Sequence, residues 1–236
     1  MKKFFAGLIT ATVAFAAQAT DPETLAVMAK LKEKYPSTTF NSVERAPIAG
    51  IFEVSMGKNI AYTDRDLRYF LFGSMYDMVS QQDLTASKRQ ALSRIDWNDL
   101  PLKDALVTVK GNGSRKVAVF SDPDCPYCRK LENELAKLTN VTIYTFMYPI
   151  DSLHPQARRK AESIWCAKDA QNLWIKHLTE NAPIPNANCD NPVGRNVTLA
   201  GKLGINGTPY LIAQDGRSLP GMAPADRLDG FINGGK

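Results

Sequence analysis

The sequence predicts a two-part protein, in which an α+β N-terminal domain is joined by a linker helix to a C-terminal α/β domain with a helical insertion. Aromatic and β-branched runs separated by turn residues fill the stretch up to residue 78. A polar, helix-forming stretch follows, and beyond residue 113 continuous apolar strands alternate with amphipathic helical stretches. We therefore place the boundaries at 1–19, 20–78, 79–113 and 114–236, the first range being a leader.

The leader prediction rests on the order of charge and hydropathy in "MKKFFAGLITATVAFAAQAT". Lys2 and Lys3 are followed by an apolar run and then by Ala17-Gln18-Ala19. This arrangement predicts a secretory signal peptide that is cleaved after Ala19. A membrane anchor is the alternative, but the apolar run is shorter than the ~20 residues that a spanning helix needs. The mature protein is therefore expected to be exported.

The overall composition is that of an ordinary globular protein, with 44% hydrophobic and 22% charged residues in 236. Removal of Lys2 and Lys3 lowers the Lys and Arg count from 29 to 27 against 24 acidic residues, so the mature chain carries a formal charge of +3. So small an excess gives little support to nucleic-acid binding.

The N-terminal domain is predicted to begin with a helix. Asp21 suits the helix N-terminus, Pro36 ends it, and apolar residues recur at helical spacing at Leu25, Met28 and Leu31. The strands that follow make a unit of about 60 residues, which is marginal as a lone monomer. A partner that pairs with a free strand edge would stabilise it.

The order of elements after residue 113 is strand, helix, strand, long helical stretch, two strands and a final helix. The strands are typified by "KVAVFSD" and "VTIYTFMYP", whose continuous apolar runs indicate burial on both faces. This order matches a thioredoxin fold that carries an inserted helical subdomain.

The motif Cys125-Pro126-Tyr127-Cys128 lies where the first of these strands passes into a helix. Unpaired N–H groups and the dipole at a helix N-terminus favour an anion, and proline is tolerated at the first helical position. A thiolate at Cys125 is therefore stabilised and able to attack. Cys128, one turn further on, can resolve the resulting mixed disulfide.

Two other interpretations of this motif have less support. Zinc would need two more ligands, yet Cys166 and Cys189 form no second C-x-x-C, and neither His154 nor His177 has ligand spacing. A static disulfide across so short a loop would stabilise little. We expect redox chemistry with neither metal nor cofactor.

The remaining cysteines and a Thr-Pro pair complete the candidate site. Cys166 on a helix and Cys189 on a Pro-rich loop make a natural structural pair; a second redox pair is the alternative, although it lacks the tight C-x-x-C spacing. Thr208-Pro209 precedes an apolar strand, and a cis bond there would leave backbone groups of Thr208 free to pair with an extended peptide.

The motifs "FSDPDCPYC", "IWCAKD", "GTPYLI" and "LPGMAPADRLDGFI" together resemble the DsbC/DsbG family of periplasmic disulfide isomerases. The resemblance covers essentially the whole mature chain and is most specific from Phe120 onward. It implies a homodimer formed by a cystatin-like N-terminal dimerisation domain, followed by a linker helix and a thioredoxin-fold catalytic domain. It also implies that misfolded disulfide-containing proteins are the substrates and that a DsbD-type membrane reductase keeps the site reduced.

The resemblance assigns roles to residues of this chain. Cys125 matches the attacking cysteine, Cys128 the resolving cysteine, and Thr208-Pro209 the cis-proline loop that contacts substrate; we assign Pro126 and Tyr127 to substrate contact as well. Cys166 and Cys189 match the structural disulfide of the DsbC branch. Val119 stands where thioredoxins place a buried acid, so the sequence names no proton acceptor for Cys128.

Two features point to different branches of the family. The dipeptide Pro126-Tyr127 is familiar from DsbG, whereas the Cys166/Cys189 pair and "IWCAKD" favour DsbC. We give the pair more weight, because the dipeptide tunes redox poise while the pair is a separate architectural feature. The expected activity is disulfide isomerisation; the alternatives are a DsbG-like reductase of sulfenic acids and a holdase chaperone.

Overall fold

The computed structural model describes residues 21–234. The predicted signal peptide, residues 1–19, lies outside them. The chain divides into two compact units, with the division between Leu92 and Ser93.

The first unit packs one helix against an antiparallel sheet. Helix α1 (Pro22–Lys34) precedes the four strands β1 (Ser42–Arg45), β2 (Ile51–Met56), β3 (Asn59–Asp64) and β4 (Phe70–Leu71), which are ordered β1-β2-β3-β4. A small ladder of β5 (Tyr76–Asp77) and β6 (Gln82–Asp83) leads to helix α2 (Leu84–Leu92). Strands β1 and β4 are the two edges of the larger sheet.

Helix α1 begins as its sequence predicts and buries Leu31 as expected, but it exposes one of its three predicted apolar positions. The side chain of Asp21 accepts a hydrogen bond from the N–H of Glu23 and caps the helix. Val27 and Leu31 enter the core, whereas Leu25, expected on the apolar face, is exposed. The sheet against which α1 packs therefore selects Val27 in place of Leu25.

The second unit is built on a five-stranded sheet. Its strands are β7 (Leu106–Lys110), β8 (Arg115–Ser121), β9 (Val141–Met147), β10 (Tyr210–Ala213) and β11 (Ser218–Pro220), ordered β11-β10-β8-β9-β7. Its helices are α3 (Pro126–Ala136), α4 (Ala157–Trp165), α5 (Ala170–Glu180), α6 (Val193–Leu203) and α7 (Ala225–Ile232). Strands β8 and β9 are parallel and the other pairs antiparallel.

Alternating residues of β8 supply the two faces of this sheet. Val117 and Val119 pack with Leu131 of α3 and Leu228 of α7 on one face. On the other face Phe120 lies in a core with residues of α6, and its ring stacks on that of Phe146 at a centroid distance of 4.9 Å. A third cluster, centred on Trp174, packs α4 and α5 together. The expected thioredoxin fold with a helical insertion is confirmed.

The expected linker region, residues 79–113, differs from the structure. Helix α2 fills only part of it, and the chain from Ser93 onward lies in the second unit. The N–H of Ile95 donates to the carbonyl of Gly216, and a Cβ at Gly216 would lie 2.5 Å from the Ile95 carbonyl oxygen. Strand β7 then pairs with β9 at the edge of the sheet. In β7 the exposed Val107 and Val109 alternate with more buried residues. This alternation is typical of an edge strand but is a weak signal in so short a segment.

Candidate active site

The active-site turn joins the carboxyl end of β8 to the N-terminus of α3. Cys125 is the N-cap residue and Pro126 the first residue of the helix, as the sequence predicts. The N–H of Cys125 donates to the carbonyl of Asp122, and the N–H of Cys128 to that of Cys125. These bonds form the first turn of the helix at Cys125, and the N-terminus of a helix favours a negative charge.

The environment of Cys125 stabilises its thiolate. A hydrogen bond from the Cys128 thiol is the largest of the effects that lower the pKa of Cys125 to about 5, with burial acting in the opposite direction. Hydrogen bonds from Thr208 and from the backbone N–H groups of Cys128 and Tyr127 add to the lowering. The Cys125 thiol is therefore ionised at neutral pH.

Cys128 has the opposite environment. Burial is the largest of the effects that raise its pKa far above the ordinary range, and the sulfur of Cys125 acts in the same direction. The N–H of Asp122 donates to the Cys128 sulfur at 3.5 Å. Both thiols are free, and Cys128 is the more buried of the two. The pair thus holds one reactive thiolate beside one protonated thiol.

The Thr208–Pro209 loop lies directly beside the reactive sulfur. Its peptide bond is cis, and the Cys125 thiol lies 3.4 Å from the carbonyl oxygen of Thr208. The carbonyl of Pro209 accepts from the N–H of Gly221, which holds the loop onto the hairpin end. Among the four residues assigned to substrate contact, Pro126 and Tyr127 are exposed, Thr208 is partly buried and Pro209 is buried.

Cys166 and Cys189 form a disulfide within the helical insertion, 23 residues apart in sequence. Cys166 is the C-cap residue of α4, and Cys189 lies in the exposed loop before α6. Because these two sulfurs are bonded to each other, they are separate from the free pair at the active-site turn.

Two residues that the sequence analysis did not assign to the site lie next to it. Asp122 is fully buried, and its carboxylate accepts from the N–H groups of Asp124 and Ile150 and from Nδ1 of His154, the last at 3.0 Å. The hydrogen bond to Asp122 is the largest of the effects that raise the pKa of His154, and the charge of Cys125 contributes. The available signal was an acid at the carboxyl end of a buried strand; nothing in the sequence pairs it with His154.

The described residues contain neither a cluster of three or more His, Cys, Asp or Glu that could hold a metal ion, nor a helix long and apolar enough to cross a membrane.

A thioredoxin fold with a low-pKa cysteine at a helix N-terminus and a cis-proline loop beside it defines the class of thiol–disulfide oxidoreductases. Residues 102–235 match the thioredoxin-like domain, and residues 15–86 match the disulfide bond isomerase protein N-terminal domain, DsbC_N. The probable thiol:disulfide interchange protein DsbC of Bordetella pertussis is 36% identical over 213 residues, which cover 90% of this chain and 75% of that one. DsbC of Escherichia coli K12 is 27% identical, over 99% of this chain and 96% of that one.

A solved disulfide interchange protein from Neisseria gonorrhoeae is 44% identical and superposes with a TM-score of 0.56, covering 57% of this chain and 97% of that one. The chain belongs to the DsbC family. It is a thiol:disulfide interchange protein with disulfide isomerase and reductase function, which confirms the resemblance and the expected activity. The DsbC_N match supports a homodimer, and family membership supports a periplasmic location.

Proposed function

We propose that Cys125 is the attacking residue of a periplasmic disulfide isomerase. Its thiolate attacks one sulfur of a non-native disulfide, a Cys125–substrate disulfide forms, and the other substrate sulfur leaves as a thiolate. Another thiolate of the same substrate, either already free or freed when the displaced thiolate attacks a further disulfide, then attacks the substrate sulfur of the mixed disulfide. A new substrate disulfide forms, and Cys125 leaves as the thiolate. The observation that carries this proposal is the location of Cys125 at the α3 N-terminus, with a pKa of about 5.

Cys128 is proposed to release substrates that stall. Its sulfur attacks the mixed disulfide, loses its proton, and displaces the substrate thiolate, so the substrate is reduced and the Cys125–Cys128 disulfide forms. Burial is the largest cause of the raised pKa of Cys128, and the nearby Cys125 adds to it. Bonding of Cys125 to substrate removes only the Cys125 contribution, so the pKa of Cys128 falls in part when the mixed disulfide forms.

The Thr208–Pro209 loop is proposed to hold the substrate chain against the cysteines. The Thr208 backbone lies beside the Cys125 sulfur, where an extended peptide could pair with it. Tyr127 is exposed and Pro126 lies next to it, so both offer apolar contact that does not depend on sequence. Broad contact of this kind suits substrates that share exposed apolar surface.

The first unit is proposed to form the homodimer. Strands β1 and β4 are open edges, and residues 48–79 expose large apolar side chains. These exposed side chains are Ile48, Tyr69, Leu71, Phe72, Tyr76, Met78 and Val79. In this proposal residues 20–78 serve as the dimerisation domain, residues 79–113 contain the linker helix, and residues 114–236 form the catalytic domain. Pairing of β7 with β9 supports extending the catalytic domain to include β7.

Two further proposals concern the cell. We propose that residues 1–19 direct export and are removed after Ala19. Isomerisation needs reduced Cys125 in an oxidising compartment, so a membrane reductase of the DsbD type is the proposed electron donor.

The Cys166–Cys189 disulfide is proposed to be structural and to take no part in the exchange.

The test is the refolding of a scrambled protein with several disulfides by the reduced mature enzyme. Cys125→Ser is expected to abolish the recovery of native substrate, and Cys128→Ser to retain part of it, since direct rearrangement needs only Cys125. Full recovery with Cys125→Ser would reject the proposal in favour of a holdase. If neither the wild type nor either variant recovers native substrate, but the wild type still reduces a protein that carries a sulfenic acid, the DsbG-like activity would be favoured.

A further inference from the structure

We propose that His154, held by Asp122, is a positioning residue that supplies a titratable positive charge to the active site and thereby stabilises the Cys125 thiolate. The proposal rests on the proposed role of Cys125 as the nucleophile. It adds a pH-dependent control of the reduced state, located in a loop remote from the C-x-x-C motif in sequence.

The geometry begins with the buried carboxylate of Asp122. One oxygen accepts from the N–H of Asp124 at 2.8 Å and so shapes the turn that leads into Cys125. The other accepts from the N–H of Ile150 at 2.8 Å and from Nδ1 of His154 at 3.0 Å. A single buried side chain therefore ties the active-site turn to the loop that carries His154.

The backbone of Asp122 joins the same residue to both cysteines. Its carbonyl accepts from the N–H of Cys125, and its N–H donates to the sulfur of Cys128. His154 is thus one hydrogen bond away from a residue that contacts each member of the redox pair, and it lies within electrostatic reach of Cys125.

The other charged groups near His154 are already paired. Lys160 of α4 is bonded to Asp124, and Arg158 of α4 is bonded to Asp151. The groups that interact electrostatically with the imidazole are then Asp122, Asp124 and Cys125, and all three favour its protonated form. Because Lys160 offsets the charge of Asp124, a positive charge on His154 interacts mainly with Asp122 and Cys125.

The consequence for redox equilibrium follows from which state carries the charge. Cys125 is negative in the reduced protein and neutral in the disulfide, so a nearby cation stabilises the reduced form. The effect is present above a pH of about 5, where Cys125 ionises, and is lost as the pH rises through the raised pKa of His154. His154 therefore makes the protein a stronger oxidant within that window than outside it.

The experiment measures the equilibrium in which reduced protein and oxidised glutathione give oxidised protein and two molecules of reduced glutathione. His154→Asn keeps a donor near the position of Nδ1 but cannot carry charge. At about pH 7 the variant is expected to shift this equilibrium roughly three- to tenfold towards the oxidised protein, and at about pH 9.5 to match the wild type. Absorbance of the thiolate near 240 nm, titrated on the same proteins, reports the ionisation of Cys125 directly.

Two further variants separate charge from structure. Arg158→Gln removes a neighbouring positive charge and the Asp151 contact from the same region, and is expected to leave the equilibrium unchanged at both pH values. His154→Lys keeps a cation to high pH, so it is expected to match the wild type at about pH 7 and to favour the reduced form at about pH 9.5. A shift in His154→Asn that is equal at both pH values, or no shift at all, would show that His154 only tethers the loop.

The same titration distinguishes this inference from the proposed function. A wild-type protein without a low-pKa thiolate would overturn the nucleophile assignment itself. A low-pKa thiolate that His154→Asn leaves unaltered would overturn the inference alone.

Discussion

At the scale of single residues, the two cysteines of one helical turn have opposite acidities. Cys125 faces the unpaired N–H groups at the start of α3 and accepts the Cys128 hydrogen bond, so its thiolate is stabilised. Cys128 lies within the core, where burial disfavours a charged sulfur. The same hydrogen bond lowers one pKa and raises the other. A pair of equal thiols would divide the attacking and resolving roles less cleanly.

Helix α3 also carries Glu132, whose pKa is displaced by a different environment. Burial is the largest effect on Glu132 and raises its pKa to about 7, against smaller opposing contributions from Trp174 and Lys110. The unfolded chain gives up this proton near the ordinary value of 4.5, before the folded chain does. Folding stability contributed by this group is therefore lost as the pH rises from about 4.5 to about 7.

Glu132→Gln is expected to remove this pH dependence. The variant should be more stable than the wild type by on the order of 1–3 kcal/mol at about pH 8, and close to it at about pH 4.5. Urea unfolding at the two pH values measures the difference. Glu134→Gln is the matched control. Hydrogen bonds, of which the one from Lys137 has the largest effect, lower the pKa of Glu134. Removal of the Glu134 carboxylate should therefore not stabilise the protein at high pH. Equal stability of Glu132→Gln and wild type at high pH would contradict the expectation.

At the scale of elements, the disulfide joins the end of α4 to the loop before α6. Residues 181–192 between α5 and α6 contain no helix or strand, so few backbone hydrogen bonds restrain them. A cross-link that closes a segment of 23 residues removes much of the conformational entropy of the unfolded chain. The disulfide is therefore expected to stabilise the helical insertion.

The double variant Cys166→Ala with Cys189→Ala is expected to lose about 3 kcal/mol of unfolding free energy while retaining isomerase activity at 25 °C. Urea unfolding, monitored by tryptophan fluorescence, measures the loss, since Trp174 lies in the apolar cluster that packs α4 and α5 together. The single variant Cys189→Ala serves as a comparison that leaves Cys166 as a free thiol. Loss of isomerase activity by the folded double variant would show that these cysteines take part in exchange.

Strand β7 shows how an edge element escapes sequence analysis. It has five residues, and two of its apolar side chains, Val107 and Val109, are exposed while Thr108 between them is more buried. Strand β8, seven residues long and buried along most of its length, is recognisable from its own sequence. An edge strand needs only one buried face and one partner strand, so its sequence carries a weaker apolar pattern than that of a central strand.

At the scale of the whole molecule, the proposed homodimer predicts a sensitive surface on the first unit. Phe72→Glu places a charge among exposed apolar side chains and is expected to convert the dimer to a monomer, measured by light scattering after gel filtration. Val109→Glu makes the same kind of change at an exposed strand position of the second unit and should leave the dimer intact. Monomers formed by both variants, or dimers by both, would argue against an interface in the first unit.

Much of the architecture could be predicted because it depends on neighbours along the chain. The cap at Asp21, the proline after Cys125 and the buried strands all have local signatures. The burial of Val27 in place of Leu25 could not, because the sheet that selects the helix face lies elsewhere in the sequence.

The class of chemistry follows from local sequence, since a C-x-x-C at a strand-to-helix turn places a cysteine where the helix N-terminus stabilises a thiolate. The surroundings of that thiolate follow from long-range packing. Thr208 comes beside Cys125 across 83 residues, and His154 meets Asp122 across 32. The capping geometry is encoded within a few residues, whereas these contacts and the desolvation that separates the two cysteine pKa values arise when distant segments pack together.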